Sequence, residues 1–320
     1  PVATGLTNPR GIAALGDGSA YVAEAGTGGD VCVEIPIDGE EEPRRGCYGL
    51  TAAITYLDGD GQEQIVTGLP SVLWGVDELT GPQDVIVSDD GTLYAIIGLG
   101  ADPALRDQLG DAGDWLGHLV MIDDDGTWTS VADVAGYEGT ANPDGGEIDS
   151  NPFSVVMTDD GGFIVSDSGA NALIRVAADG TMSTYAVFPS TMAVAPPFLG
   201  LPPDTMIPME AVPTGITVGP DGAYYVGQLT GFPFEAGAAN VWRVMDENDD
   251  GDATDEGEVT AYAEGFTNII DIGFGDDERL YVLELVSGGL LNVNPDDPAT
   301  AAGALIRVEA DDTHTEVQSE

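Results

Sequence analysis

SNPFSVVMTDDGGFIVSDSG, residues 150–169, holds two short apolar runs, Ser154–Met157 and Phe163–Val165, about an Asp160–Gly161 turn. Asp-Gly between two such runs predicts a β-hairpin. A lone hairpin is marginal in water, so this one must pack against something, and the rest of the chain supplies it.

The same pattern occurs five times. The other copies are NPRGIAALGDGSAYVAEAG, GPQDVIVSDDGTLYAIIGLG, VPTGITVGPDGAYYVGQLT and NIIDIGFGDDERLYVLELV, with Asp17, Asp90, Asp160, Asp221 and Asp277 equivalent at the turns. These aspartates stand 56 to 73 residues apart, so the repeat is degenerate and carries insertions. Four copies place an aromatic four residues after the turn Asp (Tyr21, Tyr94, Tyr225, Tyr281), and the third shifts it to Phe163. A strand, an acidic turn and a second strand follow the second to fifth hairpins, as in GHLVMIDDDGTWTSVADV and NALIRVAADGTMSTYAVF. Val, Ile, Tyr and Thr fill the runs, and Gly with Asp divides them.

Four strands per unit without a helical period predict an all-β fold, a β-propeller of four-stranded blades. The units lie near 1–68, 81–135, 150–188, 212–264 and 267–320 of a single domain, with one helical turn at Pro103–Leu109. The opening PVATG reads as an outer strand that closes the ring against the fifth blade. If the geometry is six-bladed, a blade is missing, and the open strand edge invites head-to-tail assembly into a homopolymer.

With 42% hydrophobic residues the 320-residue chain can bury a core, and no apolar run reaches membrane-span length. The sequence opens on Pro1 without a leader, which reads as a mature or trimmed start. Fifty-seven Asp and Glu against eight Arg, with no Lys, give a net charge of −49. Such a field repels nucleic acid and anionic lipid, and it favours cations or a salt-rich medium. Cys32 and Cys47 lack a CxxC partner. A local disulfide in an oxidising compartment, extracellular or periplasmic, is the simplest expectation, with two free thiols as the alternative.

Several strings resemble the ScyD/ScyE family of secreted, NHL-like β-propellers: ATGLTNPRGIA, LYAIIGLGADPALR, LGHLV, SNPFSVV with SDSGAN, DGAYYVGQLTGFPF and GFTNIIDIGF. They are spread over nearly the whole chain. The resemblance implies a secreted propeller, some of whose relatives lie beside genes of scytonemin-pigment synthesis, and a cysteine pair in the first blade. It brings no catalytic motif. The family pattern continues past TEVQSE into a further blade, which favours six.

Repeat equivalence indicates where carboxylates gather. Six residues before each turn Asp stand Gly11, Asp84, Ser154, Gly215 and Asp271, and seven after it stand Glu24, Ile97, Asp167, Gln228 and Glu284. Glu24, Asp84, Asp167, Gln228, Asp271 and Glu284, with Arg10 nearby, are therefore expected at one central mouth, to hold a cation or polar ligand. The alternative is that they cap strand ends and bond neighbouring backbone. A second candidate is DENDDGDATDE, where Asp246, Asn248 and Asp250 before Gly251, with Asp255, match the start of a Ca²⁺ loop. In a chain this acidic the match also arises by chance. LDGDGQE at 57–63 is a weaker version. The two histidines, His118 and His314, lie in no nucleophile motif, and a Ser-His-Asp triad is not expected. The four tryptophans are expected between blades, and the Pro-rich apolar stretch 187–209 is a partner surface or a lid.

Together these features predict a secreted acidic propeller that binds or scaffolds a protein or polar extracellular ligand, stabilised by Ca²⁺. The alternative is a metal-dependent hydrolase or lactonase of gluconolactonase-like type working at the carboxylate-lined mouth.

Overall fold

The computed structural model describes residues 2–35, 43–59, 61–76, 78–110, 113–311 and 313–319. Pro1, Asp60 of the weaker acidic turn and the middle of the loop between the cysteines lie outside the described residues. The fold is all-β, of β-propeller class, built of successive antiparallel sheets.

The first sheet contains β1 (Pro9–Ala14), β2 (Ala20–Glu24), β3 (Val31–Ile35), β4 (Arg44–Asp58), β5 (Gly61–Trp74) and β6 (Glu78–Thr80). Its order is β1-β2-β4-β5-β6, with β3 paired to β4. The second is β7 (Pro82–Val87), β8 (Leu93–Ile97), β9 (His118–Ile122) and β10 (Trp128–Asp133), and the third β11 (Pro152–Met157), β12 (Phe163–Asp167), β13 (Ala172–Val176) and β14 (Met182–Val187). A separate ribbon pairs β15 (Thr191–Val194) with β16 (Met206–Met209). The fourth sheet is β17 (Pro213–Val218), β18 (Tyr224–Gln228), β19 (Ala239–Val244) and β20 (Val259–Phe266). The fifth is β21 (Ile269–Phe274), β22 (Leu280–Glu284), β23 (Ala304–Val308) and β24 (His314–Ser319). The chain divides into two compact units, Pro1–Phe163 with Val176–Met182, and Ile164–Arg175 with Ser183–Glu320.

Local chemistry explains the repeated hairpin. Each turn aspartate accepts a hydrogen bond from the backbone N–H two residues on: Asp17 from Ser19, Asp90 from Thr92, Asp160 from Gly162, Asp221 from Ala223 and Asp277 from Arg279, at 3.0–3.4 Å. This is the side-chain mimic of a turn that Asp makes readily. The next residue takes positive φ and is glycine in four copies, Gly18, Gly91, Gly161 and Gly222; in the fifth it is Glu278, at φ 58°. The aromatic after the turn packs sideways: Tyr94 lies 4.9 Å from Phe163, and Tyr225 lies 4.9 Å from Phe274, ring centre to ring centre. Beneath them, Ile54, Leu69, Trp74, Ile97, Leu99 and Leu116 are fully buried in the first unit, as are Val241, Phe266, Ile269 and Val282 in the second.

Three expectations need correction or extension. Residues 2–8 form no strand; Thr4 exchanges two hydrogen bonds with the Gln62 side chain, N–H to Oε1 and Nε2 to the carbonyl. A side-chain amide has satisfied the backbone that a closing strand would have used. The first sheet runs beyond residue 68, because β5 continues to Trp74 and turns into β6. A helix, α1 (Val134–Ala141), follows β10, where Asp133 caps it by accepting from the Gly136 N–H. The short helical turn appears as expected, a 3-10 helix at Pro103–Gln108. Trp74 is fully buried and donates from Nε1 to the Leu99 carbonyl at 2.6 Å.

Cys32 and Cys47 form a disulfide between opposite residues of β3 and β4, as expected.

Candidate functional site

The carboxylates expected at one mouth separate into two groups. At the ends of the second strands, Glu24 accepts from the Thr7 N–H, the Thr55 hydroxyl and Gln64 Nε2. Glu284 accepts from the Thr267 N–H, Asp167 from the Gly169 and Ala170 N–H groups, and Gln228 Oε1 from the Asn240 N–H and Trp242 Nε1. All four residues are buried. Glu24 and Glu284 play the same part, holding the N–H two residues before their own inner strand. Each of these side chains braces the strand ends of its own sheet. Burial raises the Glu284 carboxyl above its usual range, with the Glu316 charge adding to the effect, and the Thr267 N–H opposes it.

On the inner strands, Asp84 and Asp271 occupy a different setting. The inner hairpins carry a register irregularity at this point, between Pro82 and Asp84 and between Ile269 and Asp271, and such bulges re-aim side chains. Asp84 Oδ2 accepts from the Ser154 hydroxyl at 2.7 Å, and its Oδ1 lies where a Cβ on Gly11 would collide. Asp271 Oδ1 stands likewise against Gly215. Three equivalent inner-strand positions, Gly11, Asp84 and Ser154, thus meet in the first unit, and Gly215 meets Asp271 in the second. Water reaches Asp271, yet protein closely surrounds it. Desolvation prevails and raises its carboxyl above the usual range, against the Ile272 N–H. Arg10 is committed elsewhere, donating from Nη2 to the Leu79 carbonyl.

The acidic loop before β20 is ordered by its own oxygens. Asp246 accepts from the Asp250 and Gly251 N–H groups, Asn248 Oδ1 from the Asp250 N–H, and Asp250 Oδ1 from the Asp252 N–H. Desolvation pushes the Asp246 carboxyl up, but the backbone N–H groups outweigh it and hold it below the usual range. Asn248 Nδ2 donates to Asp255 at 2.7 Å. The buried Glu258 accepts from the Glu247 and Asp255 N–H groups and closes the loop. Oxygens at alternate positions on a curved backbone are a donor set suited to a hard cation. Among the described residues, no three His, Cys, Asp or Glu side chains stand close enough together to share an ion.

The arrangement that sequence reasoning missed lies on the second sheet. His118 begins β9, and Asp133, its partner in register, ends β10. His118 Nε2 lies 3.3 Å from Asp133 Oδ1, and Nδ1 lies 2.7 Å from Ser130 Oγ. Arg106 grips the same carboxylate with both Nη groups at 2.7 and 3.0 Å, and it also donates to the carbonyls of Pro103, Asp114 and Leu116. Its charge is therefore spent. Burial pushes the Asp133 carboxyl up, but Arg106, His118 and the Gly136 N–H outweigh it and hold it below the usual range. Desolvation leads the effects on His118 and, aided by Arg106, lowers its pKa below the usual value against the pull of Asp133 and Asp114.

The ring is neutral at neutral pH, and the tautomer with its proton on Nε2 lets Nδ1 accept the Ser130 hydroxyl proton while Nε2 faces the Asp133 carboxylate. Trp115 makes T-shaped contacts with both His118 and Trp128, at 5.6 and 5.1 Å between ring centres. Beside the ring opens a cavity of about 390 Å³, lined by Pro103, Arg106, Asp107, Asp114, Trp115, His118 and Asp133. Ser130 is exposed on the Nδ1 side of the ring. No motif in the sequence marks His118, and the structure sets its ring between Ser130 and Asp133. The clue was the acidic turn at 123–127, from which β9 and β10 can be counted into register. The irregularity between Ser130 and Ala132, which brings Asp133 rather than Ala132 opposite His118, leaves no mark in the residue types.

No family model matches the chain, and no curated protein matches it. Solved structures do match. A putative oxidoreductase (glucose dehydrogenase) from Thermus thermophilus aligns over 96% of this chain and 98% of its own, at 17% identity and a TM-score of 0.51. Virginiamycin B lyase from Staphylococcus aureus aligns over 97% and 84%, at 14% identity and a TM-score of 0.44. A gluconolactonase from Xanthomonas campestris aligns over 86% and 68%, at 15% identity and a TM-score of 0.46. At these identities the likeness is one of fold.

Proposed function

We propose that the protein is a serine-type hydrolase of esters or lactones, with Ser130 as nucleophile, His118 as base and Asp133 as the group that orients it. The carrying observation is the placement of the His118 ring between Ser130 and Asp133, with Nδ1 2.7 Å from Ser130 Oγ and Nε2 3.3 Å from Asp133 Oδ1, beside a cavity. An activated serine needs a neutral base in contact and a third group fixing that base. Burial keeps His118 neutral, and Arg106 immobilises Asp133.

In the reaction, Ser130 Oγ attacks the carbonyl carbon as its proton passes to His118 Nδ1, and the imidazolium so formed is stabilised by the Asp133 carboxylate facing Nε2. The leaving alkoxide takes that proton as the acyl–oxygen bond breaks. Water, deprotonated in turn by Nδ1, then releases the acid and restores the Ser130 hydroxyl. The hydrolase and lactonase class expected as the alternative is kept, and its placement at a metal-bearing mouth is not. Glu24, Asp167, Gln228 and Glu284 already serve backbone and side-chain donors of their own surroundings. Binding or scaffolding has no comparable observation behind it. We infer in addition that the loop at Asp246–Glu258 takes Ca²⁺ as a structural ion, and that the disulfide reflects work in an oxidising compartment, extracellular or periplasmic.

The test is covalent labelling with a fluorophosphonate, followed by peptide mass spectrometry. Ser130 should carry the label, and Ser130→Ala and His118→Ala should each abolish it. The rate should hold steady as pH falls from 8 to about 6.5, the ordinary histidine value, and drop only below it, because His118 protonates late. Modification of other serines only, or none at millimolar probe, excludes the mechanism.

A further inference from the structure

We propose that the cavity beside His118 selects a cationic group, an alkylated or primary ammonium, on the molecule it receives. Charge bookkeeping within the cavity is the starting point. Arg106 is the one cation in the lining, and its two-pronged contact with Asp133 cancels both charges. His118 is held neutral by burial. Asp107 and Asp114 remain, exposed at the opening, and their carboxylates accept no hydrogen bond from any described residue.

The remaining wall is aromatic. Trp115 is 37% exposed and is steadied by T-shaped contacts with His118 and Trp128. An indole beside two carboxylates favours an ammonium through its π-face, and best of all one carrying methyl groups, which loses little hydration on entering. A carboxylate or phosphate would face two negative charges with no uncommitted donor to meet it. The field of a chain with net charge −49 acts in the same direction at long range, raising the local concentration of cations.

This selectivity takes its use from the hydrolase proposed above: a cationic alcohol or amino-acyl moiety would sit in the cavity while Ser130 meets the ester carbon. Its existence is measurable without chemistry. Benzyltrimethylammonium is titrated into Ser130→Ala protein, which turns nothing over, at fixed ionic strength, with Trp115 followed by its indole N–H resonance. Benzenesulfonate serves as the anionic control.

Saturable binding of the cation at Trp115 is expected, with no response to the sulfonate. Asp107→Asn with Asp114→Asn should weaken it about tenfold, and Trp115→Leu, titrated by calorimetry because it removes the resonance, by a similar factor. The remote pair Asp89→Asn with Asp159→Asn, which removes the same charge from exposed turns, should leave it unchanged. Equal weakening by both pairs would reduce the effect to bulk charge and overturn the proposal, as would a silent Trp115 at millimolar cation.

A second arm compares wild-type hydrolysis of acetylcholine with that of 3,3-dimethylbutyl acetate, its uncharged isostere. Turnover of both at equal rate removes the selectivity and leaves the hydrolase. Saturable cation binding with turnover of neither removes the hydrolase and leaves the cation site.

Discussion

At the scale of single residues, the turn aspartates show how one side chain recruits its neighbours. Once Asp accepts the N–H two residues on, the intervening residue is driven to positive φ, where a Cβ crowds the backbone. Four copies meet that demand with glycine, whereas the fifth places Glu278 there at φ 58°. Glu278 is exposed and lies in no hydrogen bond through its side chain among the described residues, so little is lost by removing it. Glu278→Gly should therefore raise unfolding stability by about 1 kcal/mol, the cost of a left-handed L-residue less the extra chain entropy glycine brings to the unfolded state. Equilibrium urea unfolding checks it; a variant no more stable than the wild type would mean that Glu278 makes a compensating contact. Ser130 shows the opposite case. Nothing in its residue type or flanking sequence distinguishes it from other serines, and only the neighbour across the strand pair gives it chemistry.

At the scale of elements, the parts legible in the sequence were those specified locally. The five hairpins follow from turn chemistry and the pattern of apolar residues, and the disulfide follows from two cysteines fifteen residues apart with no other thiol in the chain. What escaped depends on register across longer connections. The β9–β10 irregularity moves Asp133 opposite His118, and the side-chain partners of Glu24 come from β4 and β5, up to 40 residues away. Equivalence between repeats correctly grouped Gly11, Asp84 and Ser154. It could not reveal that the carboxylates seven residues after the turns point into their own blades.

The Asp246–Glu258 loop is a local element of the same legible kind, and its ion is testable. Its backbone N–H groups hold the oxygens of Asp246, Asn248 and Asp250 along one curved backbone, and binding must draw the carboxylates closer than they now stand. Calorimetry should show one Ca²⁺ event that Asp250→Ala abolishes. At calcium one hundred times its Kd the wild type should gain about 2.7 kcal/mol by mass action. A protein whose heat of titration and melting temperature ignore both calcium and chelator would leave this stretch an acidic turn.

At the scale of the whole molecule, a net charge of −49 opposes folding. Among the described residues, Arg44, Arg106, Arg243, Arg279 and Arg307 pair with carboxylates, and Arg279 and Arg307 share Glu309. These pairs neutralise only a small part of 57 acidic residues. Most of the acidic charge therefore repels itself more strongly in the compact chain than in the expanded one. Salt acts on both terms. It weakens exposed ion pairs, which are worth about 0–1 kcal/mol each, and it weakens a far larger number of like-charge repulsions. At 0.05 M the screening length exceeds about 10 Å and spans many neighbouring carboxylates; at 1 M it shrinks to about 3 Å. Repulsion is the larger sum, so added salt should stabilise. With chelator present throughout to silence calcium, the melting temperature should rise on the order of 5 °C between 0.05 and 1 M NaCl, a gain of roughly 3 kcal/mol for a chain of this size. A flat or falling melting temperature would mean that the carboxylates are spaced widely enough for water alone to screen them, and that the acidity of this surface carries no folding cost.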